Sequence, residues 1–216
     1  MGSIAQRIFD FDKDLFAWIR AQFGGGILDD TLGYVANLYF WMPLIVFLMV
    51  LLYHSSTRGR WLNFLYGLGA IVLAYQSGFL LSLLFHQPAP YVVEHLAHNQ
   101  QLPGFQKFIT YSFPDWPTAA MVALILFTRF RVRASGGFFP SGMMGFVLIL
   151  GFCRVFAGNA YPYDVLGGWA LGHGVAFILR LFSRNLDLVM HPSPEAVKAE
   201  AAAPEVVQGP APDSEQ

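Results

Sequence analysis

Charge is the first thing this sequence is short of. Asp, Glu, Lys and Arg make up only 12% of its 216 residues, and 13 basic against 14 acidic side chains leave a net charge of −1. With no basic surplus there is no electrostatic footprint for nucleic acid, and no nucleic-acid partner is expected. Cysteine is nearly missing too. Cys153 stands alone, which excludes an intramolecular disulfide framework and suits a small core residue at the end of an apolar run. Position six is Gln6, not the Ser or Thr of a myristoylation signal, and the charges interrupting the first apolar stretch argue against a secretory leader. What remains in abundance is apolar length. A chain that is 55% hydrophobic has the length of one domain and is too apolar for an ordinary soluble one, so it reads as an integral membrane protein.

The expected fold class is all-α: a polytopic membrane helical bundle of about five transmembrane helices with an N-terminal amphipathic surface helix. Residues 4–23 put Ile4, Ile8, Phe11, Leu15, Phe16, Ile19 and Phe23 on one face and Arg7, Asp10, Lys13, Asp14 and Arg20 on the other, a pattern that suits a bilayer surface or packing on the bundle. Gly24-Gly25-Gly26 ends this helix, and Asp29-Asp30-Thr31 offers a cap for the next. Spans are then expected over Tyr34 to Tyr53, Trp61 to Phe85, Thr118 to Thr128 with flanks, Gly142 to Phe156 with flanks, and Val165 to Phe182. Gln76, Ser77 and His173 are polar groups inside these runs, and Gly168, Gly172 and Gly174 permit close helix approach within the bundle. The domain boundaries expected are 1–30 for the surface helix and turn, 31–186 for the bundle, and 187–216 for a cytoplasmic tail too poor in large apolar residues to fold.

Arginine sets the orientation. Arg58 and Arg60, then Arg129, Arg131 and Arg133, then Arg184 fall at ends that five alternating spans place on one side, which the positive-inside rule makes cytoplasmic. The loops at 86–114 and 154–164 therefore face outward together. Tyr34, Tyr39, Trp41, Tyr91, Tyr111, Tyr161 and Tyr163 gather at that outer boundary as an aromatic belt. In the outer loop His95 and His98 share a helical face, but with Glu94 the only nearby carboxylate no metal site is expected, and no cofactor either.

One outer loop joins two charges that are costly near lipid, Arg154 and Asp164, within Cys153-Arg154-Val155-Phe156-Ala157-Gly158-Asn159-Ala160-Tyr161-Pro162-Tyr163-Asp164. This stretch, continued by Val165-Leu166-Gly167-Gly168-Trp169, resembles the third motif of the lipid phosphate phosphatases, the type-2 phosphatidic acid phosphatase and vanadium haloperoxidase superfamily. There a Ser-Arg pair is followed after five residues by His and after three more by Asp. The order of features from Phe11 to Leu181 is similar to the undecaprenyl-pyrophosphate phosphatase branch, which implies a bacterial inner membrane with the motif loops on the periplasmic side. The first motif, Lys, six residues, then Arg-Pro, aligns with Ser82 through Ala89-Pro90. The second, Pro-Ser-Gly-His, aligns with Pro114-Asp115-Trp116-Pro117 after Ser112-Phe113.

The resemblance implies a mechanism and, position by position, its loss. The family attacks phosphorus with the third-motif His, orients that His with the Asp, protonates the leaving group from the second-motif His, and holds phosphate with Lys and two Arg. Here the nucleophile position is Ala160, the acid position Pro117, the Lys position Ser82 and the first Arg position Ala89. Neither Ala nor Pro can attack phosphorus or carry a proton. Arg154 and Asp164 remain, and with Asp115 they set one cation against two carboxylates, which disfavours a desolvated phosphate. Asp115 is expected to pair with Arg154 while Trp116 and Pro117 plug the rest, or else to cap the helix that begins near Thr118. Arg154, Asp164, Asp115 and His86 are the candidate ligand-binding residues. The function expected is a catalytically inactive phosphatase-like membrane protein, acting as a scaffold or accessory subunit of a membrane complex or binding a lipid. The alternative is an active lipid phosphate or undecaprenyl-pyrophosphate phosphatase with a rebuilt site.

Overall fold

The computed structural model describes residues 4–23, 27–55, 59–93, 111–134, 136, 138–139 and 142–190. Among them the regular elements are helical: α1 (Ile4–Phe23), α2 (Ile27–Val35), a short 3-10 turn (Leu38–Trp41), α3 (Met42–His54), α4 (Arg60–Phe85), α5 (Pro90–Val93), α6 (Trp116–Ala134), α7 (Met143–Phe156) and α8 (Pro162–Met190). The expectations for Gly24-Gly25-Gly26, Arg58, Glu94, His95, His98 and the tail from residue 191 fall outside the described residues. The chain divides into two compact units, 1–180 and 181–216. All that follows concerns the first; the second opens with the last turns of α8.

The centre of the first unit is α6, whose residues Trp116 to Ile125 are all buried. A helix covered all round must meet its neighbours at short range, and small residues on both sides allow it. Ala119, Ala120 and Ala123 supply them on α6. On α8 a Cβ added at Gly172 would sit 2.6 Å from the Ala119 carbonyl oxygen, and one at Gly168 would strike the Asp115 carbonyl. Gly78 does the same for α4, where an added Cβ would come within 2.6 Å of Trp116 Cβ. The expected close approach at Gly168 and Gly172 thus lies within the bundle. Gly174, with nothing within 4 Å, takes no part in it.

The periphery is apolar. On α4, Leu65, Leu73, Leu80 and Leu84 are exposed, and on α8 Leu166, Phe177 and Ile178. Only 22% of the most apolar window of either helix is buried, so these are not core helices of a soluble protein, and their surfaces suit a hydrocarbon solvent. Arg60–Phe85 and Pro162–Arg184 are long and apolar enough to cross a bilayer; Leu38–His54 and Met143–Phe156 are apolar but shorter.

The first expected span, Tyr34 to Tyr53, requires correction, because it is not one helix. α2 stops at Val35, Asn37 turns the chain by accepting the Tyr39 N–H at 3.1 Å, and Pro43 sits in the first turn of a new helix. Pro is tolerated there because its missing N–H would be unpaired anyway. α2 itself begins at Ile27, so Asp29-Asp30-Thr31 lies inside it and not ahead of it. The aromatic belt also loses two members. Trp41 is buried and donates its indole N–H to the Val35 carbonyl at 2.8 Å, holding the break together. Tyr161 is wholly buried, edge-on to Phe9 and Phe16 at 5.9 and 5.5 Å. Ser77, expected as glue between helices, instead returns its hydroxyl to the Leu73 carbonyl of its own helix at 2.6 Å.

Helix α1 follows its expected bounds but turns a different face inward. Phe11 and Phe23 of the apolar stripe are exposed, whereas Asp12, Phe16, Ile19 and Arg20 face the bundle. The two charges do opposite work at two helix ends. Arg20 Nη1 donates to the Phe156 carbonyl at the C-terminus of α7, at 2.8 Å, and Asp12 Oδ1 accepts the Tyr163 N–H in the first turn of α8, at 3.0 Å. Each charge has the sign that the helix end attracts. Tyr161, just before α8, has no side-chain acceptor for that N–H, so a distant helix supplies the cap.

Burial raises the Asp12 carboxyl above its ordinary range, and the Tyr163 N–H only partly opposes this. A group raised on folding contributes most below its unfolded pKa and loses that contribution as pH rises through the folded value. Asp12→Asn, which keeps the acceptor without the charge, should therefore unfold at or above the wild-type temperature at pH 7, with the difference closing below about pH 4. Asp12→Ala should lose about 1 kcal/mol. Thermal unfolding in detergent at the two pH values checks both.

Candidate functional site

Three helix ends meet at one end of the bundle. Arg154 lies in the last turn of α7, Asp115 immediately before α6, and Asp164 in the first turn of α8. A cation at a helix C-terminus and carboxylates at two N-termini are each locally favoured. The Arg154 side chain is only 9% exposed, so it requires a partner. Its Nε lies 2.7 and 2.8 Å from the two carboxylate oxygens of Asp115, and Nη1 reaches the Ala36 carbonyl at 3.3 Å.

The two roles weighed for Asp115 turn out to be one arrangement. Its Oδ2 also accepts the Thr118 N–H at 3.2 Å and a short bond from the Thr118 hydroxyl, capping α6. Its own N–H donates to the Asp164 carbonyl at 2.9 Å. Asp164 in turn reaches back to accept the Tyr161 N–H at 2.7 Å, the acidic half of a capping box, with Pro162 in the first helical position. The other oxygen of Asp164 and the hydroxyl of Ser112 are both buried, close enough to interact, yet neither closes a hydrogen bond of ordinary geometry.

The remaining motif positions are inert. Ala160 is wholly buried and offers only a methyl group. Pro117 is buried in the first turn of α6. Ser82 is buried in the last turn of α4 and gives its hydroxyl to the Phe79 carbonyl at 2.7 Å, bringing no charge to the site. Ala89, 1% exposed, stands just before α5. Trp116 fills the space beside the pair, its ring 4.3 Å from that of Tyr75 and its Cβ against Gly78.

His86, the fourth ligand-binding candidate, makes its contacts elsewhere. It closes α4 in a left-handed conformation with φ of 53°, its imidazole Nδ1 lies 3.1 Å from the Leu84 carbonyl, and its ring packs edge-on to Tyr111 at 5.0 Å. Residues that the motifs did not mark do join the Arg154 group. Tyr75 and Tyr91 both lie near enough to feel the charge of Arg154, and the Tyr91 N–H donates to the Gly158 carbonyl at 3.0 Å, tying the two outer segments together. Among the described residues no three His, Cys, Asp or Glu side chains converge as metal ligands would.

No family model matches the chain. Over 128 residues it is 31% identical to the undecaprenyl-diphosphatase BcrC of Bacillus subtilis (strain 168), a match covering 57% of this chain and 60% of that protein. The fold is similar to the crystal structure of a transmembrane PAP2-type phosphatidylglycerolphosphate phosphatase from Bacillus subtilis, with a TM-score of 0.56 over 85% of this chain and 89% of that one. In fold the chain is similar to a membrane phosphatase of the PAP2 type, and it spans less than two thirds of the length of the curated relative it matches. The sequence likeness is to an undecaprenyl-diphosphatase; the structural likeness, at 15% identity, speaks for the fold alone. The structural neighbour is a transmembrane phosphatase by its title, and this chain is an integral membrane protein of similar all-helical build.

In this protein the buried Arg154 is neutralised by a carboxylate of its own chain. If the pair is the energetic unit that the geometry describes, Asp115→Ala should destabilise the fold by about 3–5 kcal/mol, because it strands a buried guanidinium. Adding Arg154→Met should recover much of that loss. A double-mutant cycle by denaturant unfolding measures the coupling, and additive losses would contradict the pairing.

Proposed function

We propose that this protein holds a lipid without cleaving it, on a phosphatase fold whose phosphate seat is filled by the side chain of Asp115. The observation that carries this reading is the pair of contacts from Arg154 Nε to both Asp115 oxygens. A substrate phosphate would have to displace a carboxylate that is also bound to the N-terminus of α6, and would gain only one cation by doing so. With Ala160 and Pro117 in the two histidine positions, neither covalent capture of phosphorus nor protonation of a leaving oxygen has a side chain to perform it.

Lipid binding is favoured over a purely structural role by an apolar cleft of about 420 Å³ beside this site, lined by Leu81, Phe113, Pro114, Tyr163, Leu166, Gly167, Ala170 and Leu171. Phe113 and Tyr163 stack at 5.6 Å along it, two residues before Asp115 and one before Asp164. Such a cleft accommodates an acyl or prenyl chain while the closed polar site excludes its phosphate from chemistry. An accessory role in a membrane complex is compatible with the same fold. In this reading five segments cross a bacterial inner membrane, the motif loops face the periplasm, and the arginine-rich ends face the cytoplasm.

Purified protein in detergent should release no phosphate from undecaprenyl pyrophosphate or phosphatidic acid, and should retain copurified lipid detectable by mass spectrometry. Release by wild type that disappears in Arg154→Ala, with Arg154→Lys retained as a folded control, would establish a rebuilt active site and overturn the proposal.

A further inference from the structure

The opposite end of the central helix carries a second, separate site. From Asp115 to Arg133 α6 rises about 27 Å at 1.5 Å per residue, comparable to the hydrocarbon thickness of a bilayer. At its far end a cavity of about 550 Å³ opens between α6 and α8. Two helical stripes face it, each with the spacing that brings four residues onto one side. On α6 these are Leu126, Arg129, Phe130 and Arg133, and on α8 they are His173, Ala176, Phe177 and Arg180.

The cavity has a physical origin in the sequence. The two helices are pressed together at Gly168 and Gly172, where an added Cβ would strike the α6 backbone. Past that contact the larger residues of the two stripes hold the helices apart. Arg180 lies over the Phe130 ring at 4.5 Å, so one cation sits on an aromatic wall. His173 turns its Nδ1 to within 2.9 Å of the Trp169 carbonyl one turn back. Three arginines line the cavity, and among the described residues no Asp or Glu lines it.

We propose that this cavity binds the headgroup of an anionic phospholipid, with the phosphate between Arg129, Arg133 and Arg180 and an acyl chain along Phe130 and Phe177. Three cations lining one cavity with an apolar floor are complementary to a molecule that carries negative charge at one end and hydrocarbon at the other. A free anion would use the cations and leave the floor unused. A neutral lipid would use the floor and make no use of the charge. The size is that of a small-molecule site. This inference shares no residue with the Arg154 site, so it stands or falls separately from the proposed lack of hydrolysis.

The test is lipid binding by native mass spectrometry of the full chain, delipidated and titrated with dioleoylphosphatidylglycerol or dioleoylphosphatidylcholine. Wild type should bind the anionic lipid about tenfold or more tightly than the zwitterionic one. Arg129→Gln with Arg133→Gln should weaken the anionic lipid on the order of 25-fold, at about fivefold per arginine, and should leave phosphatidylcholine unchanged. Arg129→Lys with Arg133→Lys keeps the charge and should retain the preference, which separates a lost site from a lost fold. Equal affinity for the two lipids in wild type would overturn the proposal. So would an unchanged preference in the Gln variant, or displacement of the anionic lipid by millimolar inorganic phosphate, which would mark a site for soluble anions.

Discussion

A guanidinium nine-tenths buried must be matched by a negative charge, and the match between Arg154 and Asp115 is the constraint on which this end of the bundle depends. Asp115 binds Arg154 at the end of α7, caps α6 through Thr118, and through its own N–H holds the chain at Asp164, where α8 begins. One carboxylate thus joins the ends of three helices. Desolvating two charges brings little net stability by itself, but removing one of them would leave the other stranded. The pair therefore acts as a lock on geometry more than as a source of stability.

The carboxylates of this region have become caps. Asp164 holds the turn before α8, Asp115 the start of α6, and Asp12 completes the α8 N-terminus from a helix 151 residues away in sequence. One Asp164 oxygen remains buried without a hydrogen bond of ordinary geometry, and Ala160, four residues before it, is wholly buried. The unpaired N–H groups at a helix N-terminus favour a carboxylate at each of these positions.

Much of this was legible in the chain. The bounds of α1 followed from charges spaced along an apolar helix, and the meeting of Arg154 with Asp115 followed from aligning degraded motifs that share one side of a bundle. What escaped notice did so for physical reasons. Asp12 is one of several charges on α1, and only tertiary packing distinguishes the carboxylate that meets Tyr163 from those that meet water. The broken span was visible in principle, since Asn37 and Pro43 interrupt an apolar run, but mean hydropathy is blind to a turn. Trp41 and Tyr161 have the composition of interfacial anchors and the positions of core residues, which amino-acid type alone does not separate. His86 shared a loop with the motifs, but it lies at the left-handed end of α4 and packs on Tyr111.

The central claim, that Asp115 occupies the place a phosphate would take, is most directly tested by pyrophosphate binding followed through the fluorescence of Trp116, which packs beside the pair. The wild-type protein should show no saturable response, whereas Asp115→Asn, which can still cap α6 but no longer neutralises Arg154, should show one. Saturable binding by the wild type, unaffected by the substitution, would contradict the account.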